Sequence, residues 1–97
     1  MSNSNFQFFV DNIKRELWNA LSGKYGVCID IASGKYAKSV CMIVVFREDS
    51  PIYAVDMASA FYECSKKFGG NLRNYSEHLS KEIAQRNLFL SGKESKE

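Results

Sequence analysis

Apolar residues near the N-terminus recur every three or four positions, which is the spacing of one face of an α-helix. Ser4 precedes this stretch and Gln7 follows three residues later, the spacing of a capping box. Gly23 stands where a left-handed residue commonly ends a helix. The pattern predicts a helix at about residues 5–22, with Trp18 at the edge of its apolar face. That face consists of Phe6, Phe9, Val10, Ile13, Leu17, Ala20 and Leu21.

The segment from Tyr25 to Arg47 is rich in β-branched residues on both sides of a Gly34-Lys35 turn, and it predicts one antiparallel β-hairpin. With Gly34-Lys35 as a two-residue type II′ turn, Cys28 pairs with Cys41. Successive strand residues point to opposite faces, so this register decides which residues enter the core. The predicted core face carries Val27, Ile29, Ile31, Val40, Met42, Val44 and Phe46.

Two interpretations compete for the residues that follow the hairpin. Ser50-Pro51 is a good helix start, with Ser as the N-cap and Pro at the first helical position, and this is our preferred prediction. The alternative makes Ile52 to Asp56 a third strand, because Ile-Tyr-Ala-Val is β-prone. In either case Gly69-Gly70 ends the second helix. A last helix is predicted from about Asn71 to Leu90.

These elements predict a single small α+β domain over residues 1–97, in the order α-β-β-α-α, with the antiparallel hairpin packed against three helices. The ordered core is expected at about residues 5–90, followed by a flexible polar tail at 91–97. A lone hairpin is marginal in water, and its edges carry unpaired backbone groups. We therefore expect either a homodimer through the hairpin edge, or strand addition by a partner, or a monomer with blunted edges.

Composition and charge exclude the extreme classes of protein. The net charge is +2, which indicates neither a polyanion mimic nor a strongly basic nucleic-acid binder. The N-terminus lacks the basic and apolar regions of a signal peptide. The longest apolar run, Val40 to Phe46, is too short to cross a bilayer. Three cysteines are an odd number without tight spacing, so we expect a reduced, cytoplasmic protein with no membrane segment.

No catalytic or metal-binding motif is present in the sequence. Cys28, Cys41, Cys64 and His78 are the residues of metal-ligating type, and their spacings match no zinc motif. A nucleophilic couple of Cys64 and His78 has only its residue types in support. Neither phosphate-binding glycine pattern occurs. We therefore predict no enzyme activity, no metal and no cofactor.

Basic residues give a nucleic-acid alternative. Three of them, Lys24, Lys35 and Lys38, lie on the predicted hairpin, and three others, Lys66, Lys67 and Arg73, bracket the Gly69-Gly70 turn. A lysine-tipped hairpin with Tyr36 at its end suits phosphate contacts. The helix–hairpin–helix order also resembles double-stranded-RNA-binding domains, and this resemblance implies RNA binding. It covers topology only: the third strand and the lysine-rich start of the last helix are not predicted here, so it assigns no family.

Aromatic residues are numerous for so short a chain: seven Phe, five Tyr and one Trp. A small core cannot bury all of them, and exposed aromatic residues are common anchors of protein interfaces. We predict a small cytoplasmic adaptor, regulator or inhibitor that acts by protein–protein binding. Phage and mobile-element proteins that block a host defence system are of this size and type. The alternative is a nucleic-acid-binding regulator using the lysine-tipped hairpin. The predicted contact residues are Trp18, Tyr25, Lys35, Tyr36, Lys38, Tyr53 and Tyr62.

Overall fold

The computed structural model describes residues 2–33 and 39–95, with side chains described for 5–33 and 39–86. It confirms an α+β fold in which an antiparallel hairpin packs against three helices. The Gly34-Lys35 turn, and with it Tyr36 and Lys38, lies outside the described residues. The elements are α1 Ser2–Ala20, β1 Gly26–Ser33, β2 Ser39–Arg47, β3 Ser50–Asp56, α2 Met57–Phe68 and α3 Leu72–Ser95.

Helix α1 confirms the predicted apolar stripe. Its buried residues are spaced three or four apart, so they form one continuous face against the rest of the core. The helix begins at Ser2, so the predicted N-cap at Ser4 is wrong, and the Gln7 amide instead donates to Asp11 Oδ1 at 2.8 Å. After the helix, Gly23 has φ +68° and donates its N–H to the Trp18 carbonyl at 3.2 Å. The buried stripe consists of Phe9, Ile13, Leu17 and Leu21.

A third strand occupies the segment for which we preferred a helix. β3 pairs antiparallel with β2 over Ser50–Asp56, so the helix start at Ser50-Pro51 is wrong and the strand alternative is right. Pro51 has no N–H to donate, and it is tolerated because β3 is an edge strand. Tyr53 and Val55 alternate with exposed Ala54 and pack against the core, which is the pattern of a half-buried strand.

The hairpin register differs from the predicted one by three residues. Ser33 pairs with Ser39, and Cys28 pairs with Val44 rather than with Cys41. A change of an odd number of residues exchanges the two faces of β2 relative to β1. Residues 34–38 connect the strands, where the prediction had a two-residue turn. The β2 residues that face the core are therefore the neighbours of the ones predicted.

All three helices lie on one face of the sheet. That face contributes Val27, Ile43 and Val45 to the core, and these side chains are at most 6% exposed. The opposite face is not covered by any described element, and its central row on β2 is only partly buried. This open face carries Val40, Met42, Val44 and Phe46, the β2 residues that the sequence pattern had placed in the core.

The end of α2 and the start of α3 follow the prediction, although α2 begins at Met57 rather than at Ser50-Pro51. Gly69 ends α2 in the left-handed conformation at φ +60°, as predicted, and the Gly70 N–H donates to the Cys64 carbonyl at 3.0 Å. The Asn71 side chain accepts a bond from the Asn74 N–H at 3.0 Å, so it caps α3. α3 ends at Ser95, five residues beyond the predicted end at Leu90. Its buried stripe is Leu72, Tyr75, Leu79 and Ile83.

Asp56 joins β3 to α2 without an intervening loop. It is the last residue of the strand and the N-cap of the helix, where its carboxylate accepts a bond from the Ala58 N–H at 2.9 Å. We expect Asp56→Ala to lower the free energy of unfolding by about 1 kcal/mol, because an N–H of the first turn loses its acceptor. Asp56→Asn should cost much less, since the amide oxygen can also accept. Urea unfolding measures both, and equal losses would contradict the capping role.

Candidate protein-binding surfaces

Two large aromatic side chains project from the outward face of α1. Phe8 is 62% exposed and Trp18 is 49% exposed, and both lie outside the buried stripe of Phe9, Ile13 and Leu17. Ten residues of helix place them about 15 Å apart along the axis. The helical period itself causes this exposure, because the same spacing that buries one stripe directs the opposite one to solvent.

A groove lies beside Phe8, between α1, α2 and the turn that leads to α3. Its volume is about 420 Å³, which is enough for one or two apolar side chains of a partner. Phe61 forms one wall, and its ring packs against Phe9 with the centroids 5.5 Å apart. At Gly69 and Gly70 no side chain narrows the groove. The lining of this Phe8 groove is Asn5, Phe8, Phe9, Phe61, Cys64, Ser65, Gly69, Gly70 and Leu72.

The structure describes four of the seven predicted contact residues, and these four differ in exposure. Trp18 and Tyr62 are exposed, and the Lys66 ammonium lies 5.6 Å from the centroid of the Tyr62 ring. Tyr25 and Tyr53 are half-buried and pack against the core. The remaining three, Lys35, Tyr36 and Lys38, lie outside the described residues.

The sequence prediction missed Phe8 and Ile31, which are both more than 60% exposed. Phe8 could have been chosen from the sequence, because it stands on the polar side of the predicted α1 face. Ile31 was not chosen, because the predicted hairpin placed it on the face expected to enter the core. Its exposure depends on how far the helices reach along β1.

The open face of the sheet is largely apolar. Along β2, the row from Val40 to Phe46 is bordered on both neighbouring strands mainly by small residues. Cys28 and Ala54 lie on either side of Val44, and Asp30 and Asp56 lie on either side of Met42. The described residues of this face carry two carboxylates and no basic side chain, so the face does not suit phosphate contacts.

A group of phenols and carboxylates lies where β3, α2 and α3 meet. Burial raises the pKa of Tyr75 strongly, and the nearby Glu63 carboxylate raises it further. Burial likewise raises the pKa of Tyr53, with added contributions from Glu82 and Glu63. The Arg86 guanidinium lies 5.6 Å from the centroid of the Tyr53 ring. At neutral pH both phenols therefore stay protonated and serve mainly as packed aromatic rings.

The three cysteines are free, and they differ in exposure: Cys28 is exposed, Cys41 is partly buried and Cys64 is buried. Cys28 and Cys41 are three register positions apart and on opposite faces of the hairpin, so the predicted cross-strand pair is wrong. Cys64 is buried, and burial followed by the Glu63 charge raises the pKa of its thiol. A thiol with a raised pKa is a poor nucleophile. Within the part of the chain that is described, no group of three His, Cys, Asp or Glu side chains could hold a metal ion.

Basic residues around the α2–α3 turn have acidic or aromatic neighbours. The Lys67 ammonium lies 3.6 Å from the Glu63 carboxylate, and Arg73 lines a shallow groove with Glu16 and Glu77. The structure supplies the third strand that double-stranded-RNA-binding domains have. It does not supply the lysine-rich start of the last helix, because α3 begins with Leu72-Arg73-Asn74. The likeness to those domains therefore extends to topology alone.

Comparison of the chain with protein-family models, with curated proteins and with solved structures finds no match in any of the three. Among the described helices, none combines the length and the apolar character that crossing a bilayer requires. Function therefore has to be inferred from the surfaces of the molecule itself.

Proposed function

We propose that this chain is a small adaptor, regulator or inhibitor that binds another protein at the Phe8 groove. The observation that carries the proposal is the position of Phe8, which is 62% exposed at the rim of a groove whose wall is another phenylalanine, Phe61. An exposed aromatic ring beside an apolar concavity is the usual arrangement of an interface anchor and its neighbouring pocket.

The surroundings of the groove fit a protein partner. Asn5 and Ser65 place an amide and a hydroxyl at the groove, so a bound backbone could find polar groups beside the apolar wall. Trp18 and Arg15 lie further along α1 beside a second shallow depression. Trp and Arg are the residue types most enriched at interface hot spots. Together these residues extend the contact surface beyond the groove along one side of α1.

Binding of this kind requires no reaction at the site. A protein that occupies a partner's functional surface inhibits it by exclusion, and blocking a host defence protein is one such role for a phage or mobile-element product. The buried thiol of Cys64 at the groove is consistent with binding alone, because its raised pKa leaves little thiolate.

Affinity capture tests the proposal. The wild-type chain should enrich one protein from a native lysate, and Phe8→Ala should weaken that interaction at least about tenfold, since truncating an aromatic anchor costs roughly 2 kcal/mol. Tyr62→Ala is the matched control, because Tyr62 is equally exposed but does not line the groove; the groove proposal leaves this sequence-predicted contact outside the interface. Circular dichroism shows whether both variants keep their fold.

The outcomes separate the alternatives. Loss of capture with Phe8→Ala alone supports the groove. Loss with both variants, or with neither, contradicts it. If capture disappears after nuclease treatment, or if the chain binds heparin and releases it at modest salt, the nucleic-acid alternative is favoured.

A further inference from the structure

β1 is an edge strand with neither a proline nor a bulge. The sheet order is β1-β2-β3, so β1 pairs on one side only. It spans Gly26–Ser33 without a proline or a bulge. The other edge is blunted, because β3 contains Pro51 and its register with β2 shifts between Val45 and Phe46. Natural edge strands use such prolines and bulges to prevent association, and β1 lacks both.

The helices cover β1 unevenly. Val27, Ile29 and Ile31 all point to the helix side of the sheet, because they are two residues apart. Val27 is 6% exposed, Ile29 is partly buried and Ile31 is 66% exposed. The helical layer therefore covers the start of β1 and leaves its far end open.

We propose that two copies of the chain associate through β1, antiparallel, with Ile29 opposite Ile29 of the second copy. A two-fold axis perpendicular to the sheet relates the copies and keeps both helical layers on the same face. Ile31 then lies opposite Val27 of the second copy. Each open end of β1 is thereby placed beside the covered end of the other, and the two sheets become one sheet of six strands.

Charge and length select this register among the symmetric ones. Centring on Asp30 would place two carboxylates directly opposite each other, which is destabilising. Centring on Cys28 would place Ile31 opposite residue 25, which precedes the strand. Centring on Ile31 would pair the two Ile31 side chains with each other at the ends of β1 that the helices do not cover. The register centred on Ile29 pairs Gly26 to Ala32 and places Asp30 opposite Cys28.

This interface is independent of the Phe8 groove, so either proposal can fail alone. Strand pairing along one edge is at the small end of specific interfaces. We therefore expect a dissociation constant of about 10 to 500 µM. Light scattering coupled to size exclusion across that range should show the mass rising from one chain to two. A mass of one chain at every concentration overturns the proposal.

Cross-linking tests the register. In a Cys28→Ser, Cys41→Ser background, Ile29→Cys should form a disulfide with its own counterpart when oxidised glutathione is added. Directly opposite residues in an antiparallel pair have Cα atoms about 4.5–5.5 Å apart, which suits a disulfide. Ala32→Cys is the control, because the register pairs Ala32 with Gly26 rather than with itself. Cys64 is buried and should not react.

A second variant guards against an effect of Ile29→Cys on folding. With Cys28 retained and Cys41→Ser, Asp30→Cys on the open face should cross-link to Cys28 of the second copy. Most of the protein should run as a dimer on a non-reducing denaturing gel for both variants, and Ala32→Cys should remain a single chain. Cross-linking of Ala32→Cys to the same extent, or of none of the variants in a wild-type dimer, overturns this register.

Discussion

Val45→Ala is expected to lower the free energy of unfolding by about 2.5 kcal/mol, because it removes two methyl groups from the centre of the core. Val45 is fully buried on the middle strand, where it pairs with Val27 on one side and Tyr53 on the other. Few atoms can move into the cavity left by the Val45 methyl groups, because β1 and β3 are each held by their pairing with β2. Urea unfolding followed by circular dichroism measures the loss.

Val44→Ala is the matched control, since it makes the same chemical change one residue away. Val44 points to the open face and is partly exposed, so its truncation should cost under about 1 kcal/mol. The two variants share a strand and a residue type, and they differ only in the face that the register assigns to them. A larger loss at Val44 than at Val45 would restore the hairpin register predicted from the sequence.

The helices could be predicted from the sequence because their signal is local. Phe9, Ile13 and Leu17 are buried at the spacing of a helix whatever they pack against. Gly69 likewise ends α2 for a local reason, because glycine readily adopts the left-handed φ that this position has. These features require no knowledge of the rest of the fold.

The register could not be predicted, because β2 is apolar on both faces. From Val40 to Phe46 each position is an apolar residue, so alternation does not distinguish Val44 from Val45. The choice then depended on the length of the loop, and an error of an odd number of residues exchanges the faces. Only the position of the helices, a tertiary fact, decides which row is buried.

The third strand was missed because Ser50-Pro51 satisfies two local rules at once. A proline is favoured at the first position of a helix and is also tolerated at the edge of a sheet. The helix does have an N-cap of the expected type, but it is Asp56, six residues later. The same error affected one predicted contact residue. Tyr53 belongs to the strand that had been taken for a helix, and in that strand it packs against the core.

Raising the pH above about 10 should destabilise the protein, because Tyr75 must ionise in the unfolded state but not in the folded one. Burial raises the pKa of Tyr75 well above its ordinary value of 10.0, and the Glu63 charge raises it further. A folded-state pKa above the unfolded one gives stability that is complete below the unfolded pKa and is lost as the pH rises past it. At about pH 11 this loss from Tyr75 alone is about 1.4 kcal/mol.

Tyr75→Phe should remove this contribution while leaving stability near neutral pH almost unchanged. The Glu63 carboxylate lies near enough to the buried Tyr75 hydroxyl to raise its pKa, but no hydrogen bond of standard geometry joins the two among the described residues, so the ring is the part that packs. Urea midpoints measured between about pH 7 and 11 should therefore fall less steeply for Tyr75→Phe than for the wild type. Tyr62→Phe, at an exposed tyrosine, should follow the wild-type curve. Parallel curves for all three proteins would show that the Tyr75 hydroxyl ionises as freely in the folded chain as in the unfolded one.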